Sequence, residues 1–141
     1  MKAETSFMTK LIDTNILIYS ADNTHELKHR EALKVLDESK DGVISIQNLA
    51  ELARAMTEKA GKPAEKVRIY INNFKESFRV IRYNEDTVTR ALEIKSEYDL
   101  HFFDALIAAT MEENEVYEII TENEKDFSKI PNIKVINPFK K

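Results

Sequence analysis

Three acidic side chains and one polar segment stand at positions where carboxylates could do chemistry. Asp13 directly follows the apolar pair Leu11-Ile12, and Glu51 flanks the apolar stripe Leu49/Leu52/Ala53. Asp104 is the only charged residue between Phe102 and Met111, in a stretch otherwise made of Phe, Leu, Ile, Ala and Thr. Thr121-Glu122-Asn123-Glu124-Lys125-Asp126 follows another apolar run and brings more side-chain oxygens. Carboxylates gathered without basic neighbours repel one another, and a hard divalent cation with oxygen ligands relieves that repulsion. Mg²⁺ or Mn²⁺ fits this role. Such a cation bridges carboxylates to phosphate oxygens and activates water, which is the chemistry of phosphodiester hydrolysis.

Each residue also has a plainer reading. Asp13 can cap the helix that follows it, and Asp104, near a helix start, can do the same. Glu51 can be a solvated glutamate paired with Arg54, and the 121–126 segment can be a polar turn. The catalytic reading gains weight only if the fold brings these positions to one edge of one sheet.

The surrounding pattern supplies such a sheet. Leu11-Ile12, Val43 to Ile46, Arg79 to Ile81, Glu118 to Thr121 and Ile133 to Ile136 read as strands. Helices are expected from Thr14 through Tyr19, from Thr24 to Asp37 with Ala32, Leu33 and Leu36 inward, and across Leu49, Leu52, Ala53 and Met56. Pro63 opens another to about Phe78; Glu85 to Tyr98 and Phe102 to Glu112 complete the set, and Pro138 is a stop. Strands alternating with long crossovers predict a mainly parallel sheet covered on both faces. Ligands of such sheets sit beyond the carboxyl ends of the strands, where Asp13 and Thr121 fall.

Composition narrows the function classes. The 141 residues, with 43% apolar content and no linker or low-complexity tract, fit one domain spanning 1–141. The absence of cysteine excludes thiol catalysis and every Cys-ligated metal, and suits a reducing cytoplasm. A formal charge of −4 argues against binding nucleic acid through bulk positive charge, leaving room for a local basic rim. No apolar run reaches the length of a membrane span, and Leu11 to Tyr19, broken by Asp13, Thr14 and Asn15, is not a signal segment. With two glycines, Gly42 and Gly61, neither GxGxxG nor a P-loop can form.

The four segments together resemble the motifs of the PIN-domain nucleases, and among them the VapC toxins. Leu11-Ile12-Asp13-Thr14-Asn15 looks like the first motif and Ser45-Ile46 through Ala50-Glu51-Leu52 like the second. Phe103-Asp104-Ala105-Leu106-Ile107-Ala108-Ala109 looks like the third, and Thr121-x-Asn123-x-x-Asp126-Phe127 like the fourth. The resemblance implies a three-layer α/β/α domain with a five-stranded sheet in the order 3-2-1-4-5. It also implies a cytoplasmic Mg²⁺- or Mn²⁺-dependent endoribonuclease that cuts RNA, forms a homodimer and is inhibited by an antitoxin. On this reading Asp13, Glu51 and Asp104 hold the metal, Asn123 and Asp126 complete the catalytic set, and Thr14, Asn15 and Thr121 orient acids or water. Asn123 departs from the pattern, since many relatives have Asp there. Arg54 and Lys59, one and two turns beyond Glu51, are candidates for RNA phosphates.

Other readings compete. An RNA-processing nuclease of the same fold usually appends a zinc ribbon, which a chain without Cys cannot build, and a non-catalytic RNA- or partner-binding module would not need three intact acids. His25-Glu26-Leu27-Lys28-His29 formally matches the HExxH zinc-protease motif. Lys28 beside the supposed zinc, and a position close after the first strand, favour a chance match on a solvated helix face.

Overall fold

The computed structural model describes residues 9–140. Strands and helices follow in the order β1 (Lys10–Ile12), α1 (Thr14–Ala21), α2 (Glu26–Glu38), β2 (Gly42–Ser45) and α3 (Ile46–Arg54), which runs into a π-helical turn (Ala55–Lys59). The chain continues through α4 (Ala64–Ser77), β3 (Arg79–Ile81), α5 (Glu85–Tyr98), α6 (Phe102–Glu113), β4 (Glu118–Ile120), α7 (Glu124–Phe127) and β5 (Lys134–Ile136). All four strand pairings are parallel, and the sheet order is β3-β2-β1-β4-β5, as expected from the motifs.

Leu11-Ile12, Val43-Ile44 and Ile119-Ile120 of the central strands are apolar and buried because both faces of the sheet are covered. Leu11, Val43 and Ile119 point to one side and pack with Ala91 and Ile94 of α5 and Leu106 of α6. Their neighbours Ile12, Ile44 and Ile120 point to the other and meet Ile16 and Leu17 of α1, Ala32 of α2, Leu52 of α3 and Phe74 of α4. This period-two alternation makes the α/β/α layering. Gly42, at the start of β2, is required by space: a Cβ there would lie 2.7 Å from the Ile12 side chain and 2.9 Å from the Ser39 carbonyl.

Three local expectations change. The second strand ends at Ser45, not Ile46, because Ser45 and Asn48 form a reciprocal capping box that starts α3 one residue early. Leu33 is not inward but 47% exposed. Ala32 is buried, Val35 and Leu36 pack beside it, and Leu33 lies about 100° round the helix from Ala32. The polar 121–126 segment contains a short helical turn, α7, whose Phe127 is fully buried and anchors it.

Candidate active site

Connections run one way from β1 to β2 and β3 and the other way from β4 to β5, so the sheet order reverses between β1 and β4. In an open parallel sheet that reversal leaves a crevice beyond the strands' carboxyl ends. Asp13 follows β1 and Thr121 follows β4, so the two residues flank this crevice, and Ser45 ends the neighbouring β2.

Asp13 is buried, and four donors surround its carboxylate. Oδ1 accepts from the Thr14 backbone N–H at 2.8 Å and from Asn48 Nδ2 at 3.2 Å. Oδ2 accepts from Thr121 Oγ1 at 2.8 Å and from Asn15 Nδ2 at 3.4 Å. The Thr14 bond is a helix-capping contact, so the plain reading of Asp13 is realised alongside the functional one. Burial pushes the Asp13 carboxyl up to about 6; the Thr121 and Thr14 bonds pull it down, and the charges of Glu51 and Asp104 push it up again.

Glu51 is held rather than solvated. Its Oε1 accepts from Thr14 Oγ1 at 2.6 Å and its Oε2 from Gln47 Nε2 at 3.0 Å. Its expected partner Arg54 is turned instead to Glu58, at 3.7 Å. Asp104 sits in the first turn of α6, half-buried, and the cap position belongs to His101. Its carboxylate takes a long bond, 3.4 Å, from Asn123 Nδ2. Burial and then the nearby Asp126 charge hold its pKa above the usual carboxylate range.

Asp13, Glu51 and Asp104 line one cleft of about 360 Å³, together with Thr14, Asn15, Asn123, Arg54 and Lys59. Thr121 lies beneath it, bonding Asp13 through its hydroxyl and receiving the Asn123 backbone N–H at 2.9 Å. Asp126 is set back: it acts on Asp104 through its charge, stands 3.9 Å from Lys129, and is not part of the cleft wall.

Two side chains that sequence reasoning missed build this cleft from behind. Asn48 is fully buried and gives its amide N–H groups to Asp13 Oδ1 and to Thr14 Oγ1, at 3.2 and 2.9 Å. Gln47 reaches from α3 to α6, donating to both Glu51 Oε2 and the Phe103 carbonyl, the latter at 2.8 Å, while its own Oε1 is buried without a partner. The available signal was Ser45-x-x-Asn48 at a strand end, a capping pattern that places polar residues beside the carboxyl edge.

The donors facing the cleft are carboxylate, amide and hydroxyl oxygens, the set that a hard cation prefers. Among the described residues, no three Asp, Glu or His side chains are gathered closely enough to enclose an ion by themselves. A hard divalent cation held here would take part of its coordination from water.

The HExxH segment has a different environment. Glu26 is exposed and paired with Arg30 at 2.7 Å, His29 Nδ1 lies 2.8 Å from the Tyr19 carbonyl, and Lys28 binds Glu122. Among the described residues no third ligand completes a site with His25 and His29. His29→Ala is expected to cost about 1 kcal/mol through the lost Tyr19 bond, and His25→Ala close to nothing, as read by thermal melting.

A parallel 3-2-1-4-5 sheet carrying three carboxylates at its point of reversal places the protein in the PIN-like α/β/α class. Residues 10–133 match the PIN domain family, and the chain belongs to it. Its fold is similar to a toxin–antitoxin complex component from Klebsiella pneumoniae, 28% identical, covering 94% of this chain and 99% of that one at a TM-score of 0.70. It also resembles a chain of DNA-bound VapBC from Salmonella typhimurium (20% identity, 92% and 98% covered, TM-score 0.72). A third relative in fold is VapC20 of Mycobacterium tuberculosis, a sarcin–ricin loop cleaving toxin (14% identity, 84% and 92% covered, TM-score 0.69). No curated protein sequence matches this chain. Among the described residues no helix is long and apolar enough to cross a membrane.

Proposed function

We propose that this chain is a VapC-like toxin, a Mg²⁺- or Mn²⁺-dependent endoribonuclease that hydrolyses RNA phosphodiester bonds. The observation that carries this reading is the convergence of Asp13, Glu51 and Asp104 on one cleft at the sheet's reversal point. The metal, when bound, supplies Lewis-acid activation of water and neutralises charge building on the phosphate.

The chain's own residues do the rest. Asp13, with four donors fixing both oxygens, would be the rigid ligand; its orientation survives changes at the surface because Asn48 and Thr121 hold it from inside. Glu51 would be the second ligand, aimed by Thr14 and Gln47. Asp104 would be the third ligand, and its loose tether would leave an oxygen free to accept a proton from the attacking water at Oδ1 or Oδ2. Asn123 steers Asp104, and Asp126 tunes it through charge. Thr14, Asn15 and Thr121 serve as positioning residues for the two ligands.

The partner on this reading is an antitoxin, as in the complexes from Klebsiella pneumoniae and Salmonella typhimurium to which the fold is similar. The working unit is a cytoplasmic homodimer of one PIN-like domain, 1–141.

Product ends test the mechanism. In-line attack by water leaves a 5′-phosphate and a free 3′-hydroxyl, whereas attack by the substrate's own 2′-hydroxyl leaves a 2′,3′-cyclic phosphate. Mass spectrometry of a cleaved oligonucleotide is expected to find the first pair only. A cyclic phosphate among the primary products would refute the proposed chemistry.

A further inference from the structure

The helix that carries Glu51 does not continue as an α-helix. Ala60 N–H bonds the Ala55 carbonyl at 3.0 Å, five residues back, and residues Ala55–Lys59 form a π-turn. Such turns insert one residue into the helical register and are frequent at functional sites.

The inserted residue changes which side chain faces the cleft. In an uninterrupted α-helix each residue advances about 100°, so Glu58, seven residues past Glu51, would lie within about 20° of it, and Lys59 about 80° away. Glu58 would then overhang three carboxylates. With one extra residue in the turn, Lys59 takes the angular place that Glu58 would hold. The cleft is walled accordingly by Glu51, Arg54, Ala55 and Lys59, while Glu58 is turned out and pairs with Arg54. Lys59 is exposed and, among the described residues, forms no ion pair or hydrogen bond. An unpaired ammonium beside a concentrated negative site has a use if a polyanion lies between them.

We propose that the π-turn is a register device that swings Lys59 into the acidic cleft in place of Glu58, where Lys59, with Arg54, holds a phosphate of the RNA backbone. The identity of the ligand rests on the nuclease reading, but the role of the cations is separate from the chemistry, since they grip the backbone while the carboxylates act on the scissile bond. This local grip explains how a chain with a net charge of −4 meets RNA.

The test uses the full chain in EDTA, so that binding is read without cleavage. Fluorescence anisotropy of a labelled single-stranded RNA is titrated at several salt concentrations for wild type, Lys59→Ala, Glu58→Ala and the doubly exchanged Glu58→Lys/Lys59→Glu. Both positions are exposed, so thermal melting is expected to be unchanged. Lys59→Ala should weaken binding roughly threefold to tenfold and lower the slope of log affinity against log salt by about 0.7, the value for one phosphate contact on a single strand. Glu58→Ala should leave both quantities unchanged or slightly improved. The exchanged variant keeps composition and net charge yet should bind at least as weakly as Lys59→Ala; an α-helical register predicts the opposite. Equal effects at the two positions, an unchanged slope in Lys59→Ala, or no RNA binding by wild type would overturn the proposal. The nuclease reading is judged separately, by cleavage with metal in Asp104→Asn. RNA binding indifferent to Lys59 beside Asp104-dependent cleavage sinks this inference alone, and Lys59-dependent binding without any cleavage sinks the nuclease reading alone.

Discussion

Asp13→Asn is expected to lower divalent-metal-dependent RNA cleavage by at least about a hundredfold, because losing a single preorganised electrostatic group in an active site already costs that much. The substitution conserves volume and leaves Oδ1 with its two donors, Thr14 N–H and Asn48 Nδ2. It changes the other oxygen into an NH₂ group that faces Thr121 Oγ1 and Asn15 Nδ2. The Thr121 hydroxyl can rotate to accept, while Asn15 must turn away, so the fold survives and the ligand does not. Glu51→Gln and Asp104→Asn should lose activity for the same reason of charge. The decisive measurement is a time course on RNA at fixed Mn²⁺, with circular dichroism to verify folding. Full activity in Asp104→Asn would remove the proton-transfer role assigned to it, and full activity in Asp13→Asn would remove the central ligand.

The parts of this site that are legible in the sequence share a physical property: they depend on strand ends. Ile12-Asp13 and Ile120-Thr121 announce themselves because an apolar run buried on both faces must stop before a polar residue can reach the crevice. The sheet order comes through the motif resemblance, since alternation alone predicts a parallel sheet and leaves its order open. What stays hidden is set by three-dimensional neighbours. Asn48 and Gln47 lie in an ordinary helical sequence, and only the packing of α3 against α1 and α6 makes one a donor to Asp13 and the other a bridge to Phe103. Leu33 departs from its expected inward place because its helix buries a narrow stripe rather than a broad face. The π-turn is invisible to any 3.6-residue template: Leu49, Leu52, Ala53 and Met56 read as one regular helix, although the π-turn begins at Ala55 and takes in Met56.

In EDTA the Asp13 contribution to stability should fall as pH rises from about 4 to about 6, against the gain from Asp22, Glu112 and Glu122, whose pKa values are lowered, because Asp13 is easier to protonate in the native state than in the unfolded one. The folded pKa of Asp13 is about 6 against 3.8 for the free side chain, so the native state binds more protons in that window. The stabilising contribution is complete below the unfolded value and gone above the folded one. At 1.36 kcal/mol per pKa unit, the loss is roughly 3 kcal/mol. Asp104, shifted in the same direction, adds to it. A divalent cation opposes this trend, since it binds the ionised native site and stabilises by about 2.7 kcal/mol at a hundred times its Kd. Its effect should therefore be small at pH 5 and large at pH 7.5, where protons no longer compete. Asp13→Asn removes the titrating group: in EDTA at pH 7.5 it should melt at or above wild type, its pH dependence between 4 and 6 should flatten, and its Mn²⁺ shift should shrink sharply. A residue that only capped α1 would share the pH effect, which burial alone produces, but would leave the Mn²⁺ shift unchanged, because asparagine caps as well as aspartate. Thermal melts of both proteins at pH 5 and 7.5, with EDTA and with Mn²⁺ at constant ionic strength, separate the two roles. Equal metal shifts in the two proteins would leave Asp13 as the cap of a helix and nothing more.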